Sequence, residues 1–376
     1  MRRRQLIVII IMILFGIFLF FFNKVDKVEL INKQGRSFEK AKVIKVIEDN
    51  LQEDGSRIGS QRVLLKLLSG TKKGKIIEAT SFSGYLNGAD CKEGMTVIAE
   101  VNVHNDTIFV SVYNYHRSPT LYAMIALFIG SICLIGSTKG LNSALGLIFT
   151  FICIIYLYLP MLYKGYSPFW SAVIIVILTT IVSLYLISGM TYKTLSAILG
   201  TILGVVIAGV FASLFGYLTK ISGNNVSDIE ELIFIGSLTE LKISGLLFSG
   251  ILISSLGAVM DVSMSISSAI NEIYLQNPTL NRIELFKSGM NVGRDMMGTM
   301  ANTLILAFTG GSINTLIFIY SYDMEYNQIM NMYPIGIEIL RGISGSLGVI
   351  FTVPMVSLIA AYLTPKVEVN KSPLST

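Results

Sequence analysis

From Leu121 to Tyr362 the chain runs in long apolar blocks separated by short polar breaks. The blocks are Leu121–Ile135, Ala144–Leu162, Phe169–Ile187, Leu195–Tyr217, Gly245–Ile270, Met296–Tyr320 and Ile335–Tyr362. Most are near the ~20 residues a helix needs to cross the hydrocarbon core of a bilayer. A further block, Leu6–Phe22, follows Arg2, Arg3 and Arg4. It ends in Phe-Phe-Phe-Asn-Lys and not in a small-x-small cleavage site, so it reads as an uncleaved anchor and not as a signal peptide. Between this anchor and Leu121 the pattern changes. Short segments with a period near two and many β-branched residues appear at Lys42–Ile47, Arg62–Leu68, Lys75–Thr80, Thr96–Val103 and Thr107–Tyr113. Gly-containing turns such as Asp54-Gly55-Ser56 and Lys73-Gly74 divide them.

These patterns predict an all-α polytopic membrane bundle of about eight spans, carrying an inserted, small, all-β domain outside the cytoplasm. The short strands suggest a small closed barrel, OB-like or SH3-like. The expected division is an anchor at 1–23, a β domain at 24–117, a seven-span bundle at 118–364 and a cytoplasmic tail at 365–376.

Composition supports this class. Hydrophobic residues make up 52% and charged residues only 14%, against roughly 25% charged in soluble domains. The 33 glycines suit close helix packing in lipid. The net charge of +5 resides in a few basic clusters, and no basic face with interleaved aromatics suggests nucleic acid. Cations in short loops mark the cytoplasmic side. With both termini inside, Lys139, Lys193, Arg282, Lys287, Lys366 and Lys371 also fall inside, while Asp228, Glu230, Glu231, Asp323 and Glu325 fall outside with the β domain.

Cys133 and Cys153 lie in apolar runs without metal-type spacing, and Cys91 is alone in the β domain, so no disulfide forms within it. His104 and His116 also lie there, which leaves no histidine for chemistry inside the membrane. No catalytic, cofactor or metal site is expected.

Two stripes stand out. Gly200, Gly204, Ala208, Ala212 and Gly216 place a small residue at every fourth position, which lets another helix approach closely. Ser254, Gly257, Ala258, Asp261, Ser265, Ser268 and Glu272 recur at helical spacing and form a polar face. The next span repeats the design with Asn291, Asp295, Gly298 and Asn302, flanked by Arg294, Thr299 and Thr303. The last opens with Glu338 and Arg341, then Gly342, Gly345 and Gly348. An ionised group at bilayer depth costs at least about 2.5–3.5 kcal/mol, so such groups face a partner or a wet cavity. Asp261 lies deepest. Structural pairing, for example of Asp261 with Arg294 or of Glu338 with Arg341, is the plainer explanation; a polar pathway is the sharper one.

The stretches Gly257-Ala-Val-Met-Asp-Val-Ser-Met-Ser-Ile266 and Ser288-Gly-Met-Asn-Val-Gly-Arg-Asp-Met-Met-Gly-Thr-Met-Ala-Asn-Thr-Leu-Ile-Leu306 resemble the YibE/F-like family of bacterial multipass membrane proteins. The resemblance extends through Ala197-Ile-Leu-Gly-Thr-Ile-Leu-Gly204 and covers roughly Leu121 to Leu363. It implies a permease-like architecture in a bacterial cytoplasmic membrane and singles out Asp261, Asn291, Arg294, Asp295 and Asn302, without assigning a substrate.

The leading expectation is therefore a non-enzymatic permease moving an ion or small polar solute along the polar faces of the last three helices. The absence of a G-x-x-x-x-G-K-[ST] motif argues against ATP-driven transport by this chain alone. The alternative is a non-catalytic assembly or scaffold subunit. Intramembrane aspartyl proteolysis is remote: Val292-Gly293-Arg294-Asp295 replaces the Gly-x-Gly-Asp signature, and Arg294 opposes sharing of a proton by Asp295. Expected partners are the lipid bilayer, an unidentified ion or solute, and a homo-oligomer or membrane partner.

Overall fold

A computed structural model describes residues 14–25, 34–53, 55–82, 87–104, 107–226 and 228–367. The basic N-terminus, most of the first apolar block and the tail beyond 367 lie outside these residues. The chain divides into two compact units, residues 28–131 and residues 1–27 with 132–376.

The first unit contains a closed barrel of strand order β1-β2-β3-β5-β4, formed by β1 (Arg36–Glu48), β2 (Ser60–Leu67), β3 (Ile76–Phe82), β4 (Thr96–His104) and β5 (Thr107–Tyr115). Alternation drives it: Ala41, Val43, Val63, Leu65, Val97, Ala99 and Val101 point inward and are almost fully buried. β1 is longer than its apolar core suggests, because it pairs with both β2 and β4. Bulges between Val43 and Lys45 and between Val46 and Glu48 bend it between these neighbours. A short parallel pairing of Thr80 and Ser81 with Ser111 and Val112 closes the barrel. Gly88 has a φ of +91°, and a Cβ there would strike the Phe82 carbonyl, so only glycine fits.

In the second unit, residues 14–22 are helical. Phe15 packs against Phe149, with ring centres 5.5 Å apart. The Lys164 ammonium donates to the Phe22 carbonyl at 2.8 Å, satisfying one open acceptor of that helix's end. Beyond the barrel follow α1 (Ser118–Cys153), which belongs to the first unit up to Ser131 and to the second from Ile132, a π-helical turn (Ile154–Tyr158) and α2 (Leu159–Tyr163). Next come α3 (Pro168–Ser188), α4 (Tyr192–Thr219), α5 (Ile229–Leu238) and α6 (Leu246–Gln276). The chain continues through α7 (Arg282–Gly311), α8 (Ile313–Ser321), α9 (Tyr326–Met330) and α10 (Tyr333–Leu363).

Five helical segments among the described residues are long and apolar enough to cross a membrane, and α7 with α8 makes a sixth if that bent pair is one span. This count is below the eight apolar blocks, because the first block lies mostly outside the described residues and two others join. Leu121–Ile135 and Ala144–Leu162 fuse into one 46-residue helical run, Ser118–Tyr163. Its backbone breaks at Ser137, where φ is +50° and ψ is −131°. The kink is tight enough that a Cβ on Gly140 would strike the Ile132 carbonyl. Met296–Tyr320 is likewise no single rod: α7 begins earlier, at Arg282, and meets α8 at a 63° bend.

The centre of this unit is a set of branched side chains on α4, α6 and α10: Val205, Leu252, Val259, Ile266, Val349, Val353 and Val356. Lipid is as apolar as these residues, so close packing must hold the helices together. The small stripe of α4 provides that packing. Gly200 lies under Val356, Gly204 under Thr352 and Val259, and Gly348 of α10 under Ala208. Ala212 is buried beside Ile251 and Leu340, and Gly216 lies beneath Phe248. The outer face of α4 carries Leu199, Leu203, Val206, Val210 and Leu214. Some hydroxyls between helices are satisfied locally, as Thr201 donates to Ala197 at 2.8 Å and Thr352 to Gly348 at 2.7 Å, whereas those of Ser171, Thr180, Ser263, Ser344 and Ser357 are buried without a partner among the described residues. Others join elements: Tyr158 bonds Ser249 at 2.6 Å, and Ser267 donates to the Lys193 carbonyl at 2.9 Å.

A Cβ on Gly204 would lie 2.7 Å from Val259, with Thr352 closer still. Gly204→Leu should therefore force α4 from α10 and cost about 1–3 kcal/mol or more. Val206→Leu, on the outer face, should stay within about 0.5 kcal/mol of wild type. Thermal unfolding of both variants in detergent checks this; equal midpoints would show that the stripe is not a packing seam.

Candidate functional site

The polar stripe of α6 lies on the outer side of the bundle. Gly250, Ser254, Gly257, Asp261 and Glu272 are exposed, and Ser265 and Ser268 are half-buried. The opposite face, Leu252, Leu256, Val259, Val262, Ile266 and Ile270, is in the core. The 3.6-residue period thus separates the two faces cleanly. Helix α7 behaves alike: Leu285, Gly289, Gly293 and Leu304 face inward, whereas Asn291, Arg294, Asp295, Gly298 and Asn302 are exposed.

Two glycines fix how α6 and α7 align. Gly289 lies against Ile270, and Gly293 against Ile266. A step of four forward along α7 matches a step of four back along α6, so the helices run antiparallel. Ser268 is then level with Asn291, Ser265 with Arg294, Asp261 with Gly298, and Glu272 with Lys287. The polar residues occupy successive levels of one helix pair.

None of these ionisable groups has a partner among the described residues: no ion pair or hydrogen bond engages Asp261, Glu272, Arg294 or Asp295. The pairing of Asp261 with Arg294 considered from the sequence does not occur within the chain. For groups at bilayer depth this matters, because each ionised side chain left facing lipid costs about 2.5–3.5 kcal/mol.

Glu338 and Arg341 belong to a different place. They form an ion pair of 2.8 Å across one turn of α10, and both are half-buried. They border a cavity of about 370 Å³ whose other walls include Asn225, Gly311, Ser312 and Thr315. Ser312 is where α7 gives way to α8, and its amide caps the Phe308 and Thr309 carbonyls. A helix broken at such a depth is tolerated where it lines a cavity. Sequence reasoning missed Asn225, Ser312 and Thr315. The signal was Gly310-Gly311-Ser312, a helix-weakening run inside an apolar block.

In the barrel, Arg57 reaches Asp49 at 2.5 Å and Asp90 at 3.5 Å. The Gln61 amide donates to Asp49 at 2.8 Å and its oxygen accepts from the Cys91 amide at 2.7 Å. Bonds from Gln61 and then Arg57 hold the Asp49 carboxyl below the usual range, and burial pushes the Cys91 thiol up. A raised thiol is a poor nucleophile, so this network braces the barrel. No cluster of metal-ligating side chains occurs among the described residues.

The apolar helices, a core of small and branched residues and the α6–α7 polar faces define a helical membrane protein. Within that class, residues 124–366 match the family model described as YibE/F-like protein, and the chain belongs to that family. Neither a curated protein nor a solved structure matches the chain.

The Glu338–Arg341 pair yields a direct expectation. Arg341→Gln or Glu338→Gln leaves one uncompensated, partly exposed charge and should cost about 1 kcal/mol. The double Gln variant should recover much of the loss, because neither charge remains. Thermal midpoints of the three variants measure this, and a double variant as unstable as the sum of the singles would contradict it.

Proposed function

We propose that the chain is a permease subunit that moves a cation or proton along the outer polar faces of α6 and α7. The observation that carries this reading is the unpartnered set of ionisable groups, Asp261 and Asp295 with Arg294, on helices otherwise built for lipid. Intramembrane carboxylates without a structural partner are the usual means of binding a cation or relaying a proton. Ser265, Ser268, Asn291 and Asn302 supply oxygen and amide groups on the same faces. The cavity at Glu338 and Arg341, beside the broken α7–α8 helix, is the second polar region of the route. No nucleotide-binding loop is present in the sequence, so an ion gradient or a partner protein supplies the energy.

The topology we propose has about eight crossings: the N-terminal helix, two pieces of the 118–163 run divided at Ser137, α3, α4, α6, the bent α7–α8 pair and α10. Lys139, Lys193, Arg282 and Lys287 then face the cytoplasm of a bacterial cell, with both termini, and the barrel lies outside. The 1-2-3-5-4 order with its parallel β3–β5 closure supports an OB-type barrel.

An assembly subunit without transport activity is the competing reading, since an open polar face also serves docking. Proteolytic chemistry is disfavoured: Asp261 and Asp295 lie on separate helices about one turn apart in depth, and no hydrogen bond joins them.

Liposomes containing the purified chain and proton- and sodium-sensitive dyes test the proposal. Under an imposed membrane potential the wild type should dissipate a gradient of one of these ions, and Asp261→Asn and Asp295→Asn should each slow it about tenfold or more. Flux no greater than in empty liposomes, or wild-type flux in both variants, overturns the reading.

A further inference from the structure

We propose that a second copy of this chain covers the outer face of α6 and α7. The inference stands on geometry and holds whether or not the face conducts.

Among the described residues, the small-residue stripe of α4 is filled and the small and polar stripe of α6 is empty. On α4, Gly200, Gly204 and Ala208 are filled by Val356, Thr352 and Gly348 of α10. On α6, Gly250, Ser254, Gly257, Asp261, Ser265 and Ser268 form a second helical stripe, in mixed steps of three and four. Yet a Cβ on Gly250 or Gly257 would meet nothing within 4 Å, nor would one on Gly298 of α7. Among the described residues, no contact requires glycine at these positions. A face made for lipid looks different here: on α4 it is Leu199, Leu203, Val206, Val210 and Leu214. Small and polar residues at bilayer depth promote close helix–helix contact and bond across it.

Charge selects the occupant. The α6 side of the face carries Asp261 and Glu272, and the α7 side carries Lys287 and Arg294 together with Asp295. Glu272 is level with Lys287, and Arg294 lies one turn from the level of Asp261. Two copies in one membrane share depth and orientation. A twofold axis along the membrane normal therefore sets α6 of one copy against α7 of the other, with its acidic side on the basic side. Each Asp261 then meets the other copy's Arg294 within a turn, and each Glu272 meets a Lys287 at its own depth. A face of one sign would repel its own copy.

Two differently tagged forms of the full chain, co-expressed and extracted with native lipid, test this. The wild type should co-purify with its second-tag copy and give a dimer mass in native mass spectrometry. Gly257→Leu should reduce co-purification about tenfold or more while leaving thermal unfolding of the chain intact, because the added side chain has free space within one copy. Arg294→Asp should do likewise, and Leu203→Phe on the lipid face of α4 should not. A wild-type monomer, a dimer unaffected by Gly257→Leu and Arg294→Asp, or a different protein bound stoichiometrically to a monomer would each overturn the inference. Loss of ion flux with co-purification intact would remove the transport proposal and leave this one standing.

Discussion

Inside a bilayer no water is at hand to satisfy a polar group, so every hydroxyl, amide or charge on a long apolar helix must find a partner or face something other than lipid. The arrangement of the second unit follows from this constraint. Hydroxyls such as Thr201 and Thr352 turn back to the carbonyls one turn earlier, and Ser267 caps the Lys193 carbonyl at the start of the neighbouring helix. Glycines line the α4–α10 seam so that backbones approach closely enough for dispersion to hold them. The buried hydroxyls of Ser171, Thr180, Ser263, Ser344 and Ser357 have no partner among the described residues, and the larger unmet demand, at the exposed charges of Asp261, Arg294 and Asp295, points outward to a route, a partner copy, or both.

Much of this was legible in the sequence because it rests on periodicity. The Gly200–Gly216 stripe and the α6 polar stripe are separable by spacing alone, and their faces lie on opposite sides of their helices as a 3.6-residue repeat requires. The five strand segments were legible for the same reason, with a period of two. Spacing along one helix cannot say what lies opposite it, however. The α4 stripe is filled by α10, whereas the α6 stripe is open among the described residues.

The remaining gaps have local causes. The polar break between Ile135 and Ala144 marked the interruption at Ser137 in advance, but not that a single residue in an unusual conformation makes it and the helix resumes directly after. The bend at Ser312 left a faint trace in two glycines, and it places Glu338 and Arg341 beside a cavity of their own and not on the Asp261 face. The two units also obey different physics. The barrel is held by burial of Val, Leu and Ala from water, with Arg57, Asp49 and Gln61 bracing one region. The helices depend on fit.

The central claim is that the α6 stripe faces protein or water and not lipid. Spin labels placed one at a time from residue 250 to 272 in the lipid-reconstituted chain, with Cys91, Cys133 and Cys153 replaced, test it most directly. The account predicts that labels at 254, 257, 261, 265 and 268 are shielded from membrane-dissolved oxygen or reached by a water-soluble relaxant. High oxygen accessibility at those five positions, without access from water, would show a stripe bathed in lipid and would contradict the account.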